Sequence, residues 1–371
     1  MQESELPGLT ARVLWASFAL AVAFGAIAQR TRFCTMGAVA DIMTMGDWTR
    51  MRQWLLAMAV AMLGFNAMVG LGWLEARNTV YTGAQLLWLS SLVGGLLFGF
   101  GMVLASGCGS KTLVRIGGGS LKSLVVFFVL AAAAYATLRG ITAVARVNTL
   151  DKVSLALPAG QDLPSLAAHW VGGAQPAWAW FLGASFGLAL IVFVLARPEG
   201  RSLDTWLAGL GIGGVVVGVW WVSGRLGFVA EHPVTLEATF LATNSRRMES
   251  LTFVAPLAYT LDWLILFSDT SKVLTVGIVT SVGVVVGAAI VAVATGGFRW
   301  EGFAGTEDTA NHVLGGLLMG VGGVTALGCT IGQGLSGVST LAVGSFIALA
   351  GILVGAWAGL RWQTWRMERL L

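Results

Sequence analysis

Residues 94–109 read GGLLFGFGMVLASGCG, and residues 315–330 read GGLLMGVGGVTALGCT. At a constant offset of 221 residues, ten of the sixteen positions are identical. Each copy is an apolar, glycine-rich run that closes on Gly-Cys, Gly107-Cys108 in the first and Gly328-Cys329 in the second. The chain has three cysteines, and two of them hold the same place in two matching segments. That pairing implies a chain built from two related halves, with the rest of the sequence supporting the two breaks.

The composition names the solvent. The chain is 56% hydrophobic and 11% charged, with a mean hydropathy of +0.81, whereas a soluble domain carries about a quarter charged residues. So few charges cannot cover a water-facing surface, and a bilayer is the natural surrounding. Several stretches reach the roughly 20 apolar residues that span one. The 51 glycines suit close helix contacts and broken helices in membrane bundles. Many of the 16 tryptophans lie near the ends of apolar segments, among them Trp15, Trp54, Trp73, Trp88, Trp300 and Trp362, as interfacial belts require. The net charge of +4 comes with no basic run interleaved with aromatics, so nucleic acid is not an expected partner. The start, MQESELPG, lacks a basic region, so a cleaved signal peptide is not expected. Three cysteines without a CxxC, and three scattered histidines (His169, His232, His312), argue against disulfides, metal and cofactor.

In chain order, the apolar stretches predict spans at 11–28, 53–73, 86–105, 121–138, 177–195, 203–222, 251–267, 273–294 and 340–360. Shorter apolar pieces bracketed by glycine, at 38–45, 109–117 and 329–337, are too short to cross and read as re-entrant half-helices. The reading is an all-α polytopic membrane protein of about nine transmembrane helices plus half-helices. It forms one integral membrane domain: residues 1–140 as a first repeat, 141–176 as a linker loop, and 177–371 as a second repeat. Whether the repeats are inverted or parallel depends on the parity of spans between them. Inverted is the arrangement expected of such folds, with the site where discontinuous helices meet. The basic tail from Arg361 suggests a cytoplasmic C-terminus.

A break at Gly-Cys has chemical consequences. Glycine lets the backbone leave helical angles, and the residues that follow start a new half-helix. Its first N–H groups lack partners and carry the positive end of the helix dipole. This makes an anion site inside the membrane without a full charge, and a cysteine there adds a polarizable thiol. A single buried cysteine is more simply a small hydrophobe, but two at equivalent positions of a diverged repeat favour a role. Candidate substrate-binding residues are therefore Cys108, Cys329, Gly107, Gly109, Ser110, Gly328 and Thr330. Cys34 follows Arg30 and Arg32, which would attract anions, although arginines there also fit a cytoplasmic boundary. The stretch 224–229 looks like its counterpart in the second half, with no thiol. Arg32 and Lys111 are the candidate anion-attracting cations. Asp262, inside an apolar stretch, is expected to be structural and paired with a Lys or Arg.

RFCTMGA around Cys34, ASGCGSKTLVRIGGGS around Cys108 and GGVTALGCTIGQGLSG around Cys329 resemble the YeeE/YedE family of bacterial membrane proteins, the TsuA-like thiosulfate transporters. The likeness covers nearly the whole chain. It implies an hourglass-shaped helical bundle with pseudo-two-fold symmetry and short helices entering from both faces. It also implies uptake of thiosulfate into the cytoplasm across a bacterial inner membrane, with Cys34, Cys108 and Cys329 as a relay along a narrow path and a separate TusA-like sulfur carrier as a possible partner. The expected activity is transport of thiosulfate or a close sulfur anion, not catalysis. The alternative is a membrane thiol enzyme that forms a persulfide and hands sulfane sulfur to a carrier.

Overall fold

A computed structural model describes residues 5–369 apart from Val234. Residues 1–4 of the acidic start and the last two residues of the basic tail lie outside the described residues. The chain is helical almost throughout. The first part runs α1 (Leu6–Thr31), α2 (Thr35–Met45), α3 (Thr49–Gly70), α4 (Trp88–Leu104), α5 (Gly109–Gly117) and α6 (Leu121–Arg139). The 141–176 segment holds two short helices, α7 (Ile141–Asn148) and α8 (Leu163–Val171). The later part runs α9 (Gln175–Leu195), α10 (Leu203–Trp221), α11 (Ala255–Ile265), α12 (Val276–Ala294), α13 (Thr306–Thr325), a half-helix over 330–339 whose middle, Gly332–Gly337, is π-wound, and α14 (Val343–Glu368). Two pairs of two-residue strands, Gln85–Leu86 with Leu155–Ala156 and Phe228–Val229 with Thr239–Phe240, pin loops together.

Among the described residues eight helical segments are long and apolar enough to cross a membrane, where the sequence suggested about nine spans. The difference lies at 251–267. That stretch does not form a span: α11 has 11 residues, about 16 Å at the usual helical rise. Its first part is extended because its polar groups are bound elsewhere. Ser250 Oγ donates to Val216 O at 2.9 Å, and Leu251 O accepts from Ser336 Oγ at 2.7 Å. The helix starts only where Pro256 fixes its first turn. Asp262 is paired with Lys272 Nζ at 2.6 Å. Trp54, grouped in the sequence with interfacial tryptophans, is instead buried, its ring packed on Gly334.

The packing shows a regular exchange. The pairs α1–α12 and α3–α10 are close neighbours, as are α4–α14 and α6–α13. Each pair becomes the other when α1, α3, α4 and α6 are swapped for α10, α12, α13 and α14. The exchange centres on α4 against α13. A Cβ built on Gly94 would lie 2.7 Å from Gly322 O, and one built on Gly101 would lie 2.8 Å from Gly315 O. Since 94 meets 322 and 101 meets 315, the two helices cross antiparallel, backbone on backbone. The largest fully buried side chains of the protein include Phe24, Phe65, Phe98, Trp220 and Phe253, with Phe98 at the crossing itself.

The connections gather at two ends. One end, called here the tail face, holds residues 46–48 and 197–199, the 118–121 turn against 299–301, and the C-terminal stretch, where Arg366 meets Glu307. The opposite face holds the 71–87 loop, bridged to Met248, and the 155–163 segment, where Leu163 N donates to Leu341 O at 3.0 Å.

The glycine crossing yields a prediction. Gly322→Val places a side chain where a Cβ already meets Phe98 N at 2.5 Å, so it should destabilise by about 1–3 kcal/mol or more. Gly8→Ala, with open space around it, should not. Thermal unfolding in detergent measures both, and an unchanged midpoint for Gly322→Val would contradict the packing.

Candidate functional site

One backbone turn is used three times. Arg32 (φ 55), Ser106 (φ 55) and Leu327 (φ 59) sit in the left-handed region after α1, α4 and α13. The next N–H reaches back across the helix end each time: Phe33 N to Ala28 O at 3.1 Å, Gly107 N to Met102 O at 2.8 Å, and Gly328 N to Gly323 O at 2.8 Å. These bonds close the outgoing helix in the Schellman manner, and the following residue is the cysteine. Cys34 caps α2 and Cys108 caps α5, both with extended backbone; Cys329 heads the 330–339 half-helix. The sequence reading let the backbone leave helical angles at the glycine of each Gly-Cys pair; the left-handed residue is the one before that glycine. The glycines leave room over the first turn of the half-helix, since a Cβ on Gly328 would lie 3.1 Å from Gln333 Cγ and one on Gly107 3.0 Å from Lys111 Cγ.

The thiols stand where a capping oxygen ordinarily stands. Gly37 N donates to Cys34 Sγ at 3.4 Å, and Gly332 N donates to Cys329 Sγ at 3.4 Å. Cys108 Sγ lies 3.3 Å from Ser110 Oγ. All three are free and buried, at 8% exposure for Cys34, 1% for Cys108 and 0% for Cys329.

A fourth half-helix completes the group. α11 begins after Val254, which stands in the cap position, 220 residues after Cys34. Thus the counterpart of the Cys34 helix is α11, also of 11 residues, rather than the 224–229 stretch. The chain converges here. Phe253 O closes the space above Gly109, 2.7 Å from a Cβ built there, and the backbone of Phe253 also bonds the Cys329 sulfur. Cys108 lies within electrostatic reach of both Cys34 and Cys329. Four helix N-termini therefore meet inside the protein, two on half-helices leading to the tail face (α2, α5) and two on half-helices leading to the opposite face (α11, 330–339). Buried hydroxyls follow two of the thiols: Thr35 Oγ1 and Thr330 Oγ1 have no hydrogen-bond partner, and neither does Gln333 Oε1. The convergence of N–H dipoles and unpaired hydroxyls is a setting that can hold an anion by partial rather than full positive charges.

The ends of the group differ in charge. On the tail side, Lys111 lies within electrostatic reach of Cys34 and Cys108. Arg50 lies over the first turn of α2: its Nη1 would be 2.2 Å from a Cβ on Gly37, and Asp41 holds the guanidinium by two hydrogen bonds. The sequence reading missed Arg50, and Gly37 three residues after Cys34 was the available signal. Arg32 is exposed at the end of α1. On the opposite side a cavity of about 190 Å³ reaches Leu327 and Gly328, with Tyr81, Glu249, Thr252 and Tyr259 among its walls. Among the described residues no cluster of three or more His, Cys, Asp or Glu is placed to hold a metal ion.

The family described as "Sulphur transport" matches residues 30–358, nearly the whole helical bundle and all three cysteines. The chain belongs to the sulphur-transport family. Two relatives carry the name "Thiosulfate transporter TsuA". The protein from Escherichia coli (strain K12) is 28% identical over 337 residues, 90% of each chain. That from Spirochaeta thermophila is 26% identical over 356 residues, 93% of this chain and 97% of its own. A "Probable transporter YedE" from Salmonella typhimurium is 33% identical over 94 residues, 25% of this chain. Family membership together with eight long apolar helices makes this a multi-pass membrane protein of sulfur transport.

The burial of the thiols sets an order of reactivity. In detergent, N-ethylmaleimide should modify Cys34 first, and Cys108 and Cys329 at a comparable rate only after denaturation. Mass analysis of peptides checks this, and early labelling of Cys329 would contradict the enclosed geometry.

Proposed function

We propose that this protein carries thiosulfate, or a closely related sulfur anion, into the cytoplasm through a narrow path marked by Cys34, Cys108 and Cys329. The observation that carries the reading is the convergence of four half-helix N-termini, three of them capped by buried thiols. The names of the two relatives that match over nine-tenths of the chain supply the substrate.

Physics favours this arrangement for a soft dianion. Taking two charges out of water is costly unless donors replace the hydration shell. Here the donors are half-helix N–H groups around Gly109, Ser110 and Thr330, with the hydroxyl of Thr330 free to add to them. The N–H groups of Gly107 and Gly328 are spent on closing the preceding helices, and these two residues serve by leaving room beside the thiols. The thiols touch the terminal sulfur, an atom sulfate does not have. Neutral, multi-site contacts hold the ion weakly enough to release it. Since Cys108 reaches both other thiols, the order along the path is Cys329, Cys108, Cys34. Lys111, Arg50 and the more distant Arg32 draw the ion toward the tail face.

In this reading the tail face is cytoplasmic and the membrane is the bacterial inner membrane. Residues 1–140 and 177–371 are two inverted repeats joined by the 141–176 linker. The antiparallel crossing of α4 and α13 supports inversion, because corresponding helices run opposite ways. α13 is then the ninth crossing, its first turn made polar by Glu307 and Asp308. The protein acts as a transporter without a covalent step, and a TusA-like carrier on the cytoplasmic side is a fitting acceptor.

The test is labelled-thiosulfate uptake in a host lacking its own sulfate and thiosulfate importers. Wild type should take up the label. Cys108→Ala and Cys329→Ala should each lose at least about tenfold, the rate equivalent of 1.4 kcal/mol of lost stabilisation, while inserting normally. Normal uptake by both variants would overturn the reading, and a sulfur adduct on a cysteine would favour the thiol enzyme instead.

A further inference from the structure

The cavity on the opposite face contains one acid that the path as described does not use. Glu249 lines it together with Tyr81, Tyr259, Thr252 and Gly328, the last being the residue before Cys329. Its carboxyl is not freely hydrated. Ser245 N and Ser245 Oγ donate to Oε1 at 2.9 and 2.5 Å, and the residue is only partly exposed. Its backbone is fixed from both sides, with Glu249 N accepted by Ser223 Oγ at 3.2 Å and Met248 bridged to Thr79. Tyr81 lies within electrostatic reach of both Glu249 and Cys329. The carboxyl therefore stands at the mouth that a dianion must pass to reach the first thiol.

A fixed negative charge at the mouth of an anion path opposes entry unless it is neutralised. Among the described residues that line the cavity none is a lysine or arginine. Tyr81 faces Glu249 from the 71–87 loop and Tyr259 from α11, and Cys329, on the half-helix beyond Gly328, lies within electrostatic reach of Tyr81. On its own segment, Arg247 is turned to Thr79 O at 3.1 Å, and Arg246 lines the neighbouring depression. Beyond Tyr259 lie Arg139 of α6 and the Asp262–Lys272 pair. Crowding by protein pushes the Glu249 carboxyl above the ordinary carboxylate range, against the pull of its hydrogen bonds from Ser245 and Asn244. A proton is then the available neutralising partner.

We propose that Glu249 is a proton-binding site that couples anion entry to proton entry, so that the protein works as a proton–anion symporter. The inference rests on the transport reading above. It also answers an energetic need. A dianion entering a cell whose interior is negative moves two charges uphill. A proton that enters with it halves the charge moved, and the proton gradient adds its own drive.

The experiment uses the full-length protein in liposomes with the membrane potential clamped. Thiosulfate–thiosulfate exchange is measured first, since exchange needs the path but no net drive. Net accumulation is then measured under an imposed inside-alkaline gradient, with and without a protonophore. Wild type should exchange, and should accumulate thiosulfate about tenfold per unit of pH gradient for one proton carried per anion. The protonophore should abolish that accumulation, and the outer medium should turn alkaline when thiosulfate is added. Glu249→Gln keeps the acceptor for Ser245, so it should fold and exchange, yet lose the gradient response and the alkalinisation. Glu75→Gln, an exposed acid on the same face paired with Arg77, should behave as wild type. The proposal is overturned if wild-type accumulation ignores the gradient, or if Glu249→Gln responds as wild type does. Exchange without a gradient response leaves the substrate reading standing. Absence of exchange from well-inserted wild type sinks the substrate reading and this inference with it.

Discussion

A backbone N–H inside a membrane needs a partner, and that requirement governs this protein. Hydrocarbon offers none, so a helix that stops halfway must have its loose end enclosed by protein. Four helices stop halfway here, and their starts are brought to one place rather than scattered. Everything else serves that enclosure. The long helices make the wall, the extended 248–254 segment threads inward to lay Phe253 across Gly109 and Cys329, and Ser336 and Ser339 tie the last half-helix to its surroundings. Ser336 Oγ donates to Leu251 O, while Trp220 Nε1 donates to Ser339 Oγ at 3.1 Å and Asn66 Nδ2 to Ser339 O at 2.9 Å. Among the buried groups left unpaired are the hydroxyls of Thr35 and Thr330, each on the residue after a thiol.

The chemistry of the capping residue follows from the same constraint. Serine, aspartate or asparagine would satisfy the first turn more strongly. A thiol accepts only weakly, at 3.4 Å from Gly37 N and Gly332 N, so the N–H groups keep most of their capacity for another acceptor. A weak cap is thus compatible with a site that must receive and release an ion. The π-wound turn after Cys329 works in the same direction, because a wider turn in place of regular helix loosens the local hydrogen bonding. It also seats the Trp54 ring against Gly334.

Much of this was legible in the sequence. The repeated Gly-Cys segments located two half-helices, and the run after Cys34 located a third, because glycine-bracketed apolar pieces of about ten residues have few other uses in a membrane. The stretch 251–267 was misread for a physical reason. Its residues are apolar enough for a span, but hydropathy does not register that Ser250 and Leu251 are hydrogen-bonded to other elements. The Ala255-Pro256 pair was the local sign of a helix start. The sequence attributes the helix breaks to the glycines of Gly-Cys, whereas Arg32, Ser106 and Leu327 take the left-handed conformation. Bonds across the helix end hold that conformation at non-glycine residues, at about 1–2 kcal/mol each, and composition does not reveal them. Arg50 is not marked by its own position; Gly37 signals a close approach over the first turn of α2, but that the approaching group is Arg50 depends on the folded backbone. Nothing in the sequence around Glu249 marks it as a site, because its neighbours Tyr81 and Tyr259 come from the 71–87 loop and α11 only in the fold.

The crossing of α4 over α13 has a mechanical meaning. At Gly94, Gly101, Gly315 and Gly322 the two backbones have no side-chain layer between them. Sliding one helix along the other would drive carbonyl oxygens into the facing amides within a fraction of a turn. The point of least clearance therefore acts as a fixed bearing. Large displacements of the two bundles would have to turn about it, and the motions that cost least are swings of side chains and half-helix tips around it. On the proposed reading, a solute moving past that bearing would advance by such local adjustments rather than by displacement of the frame.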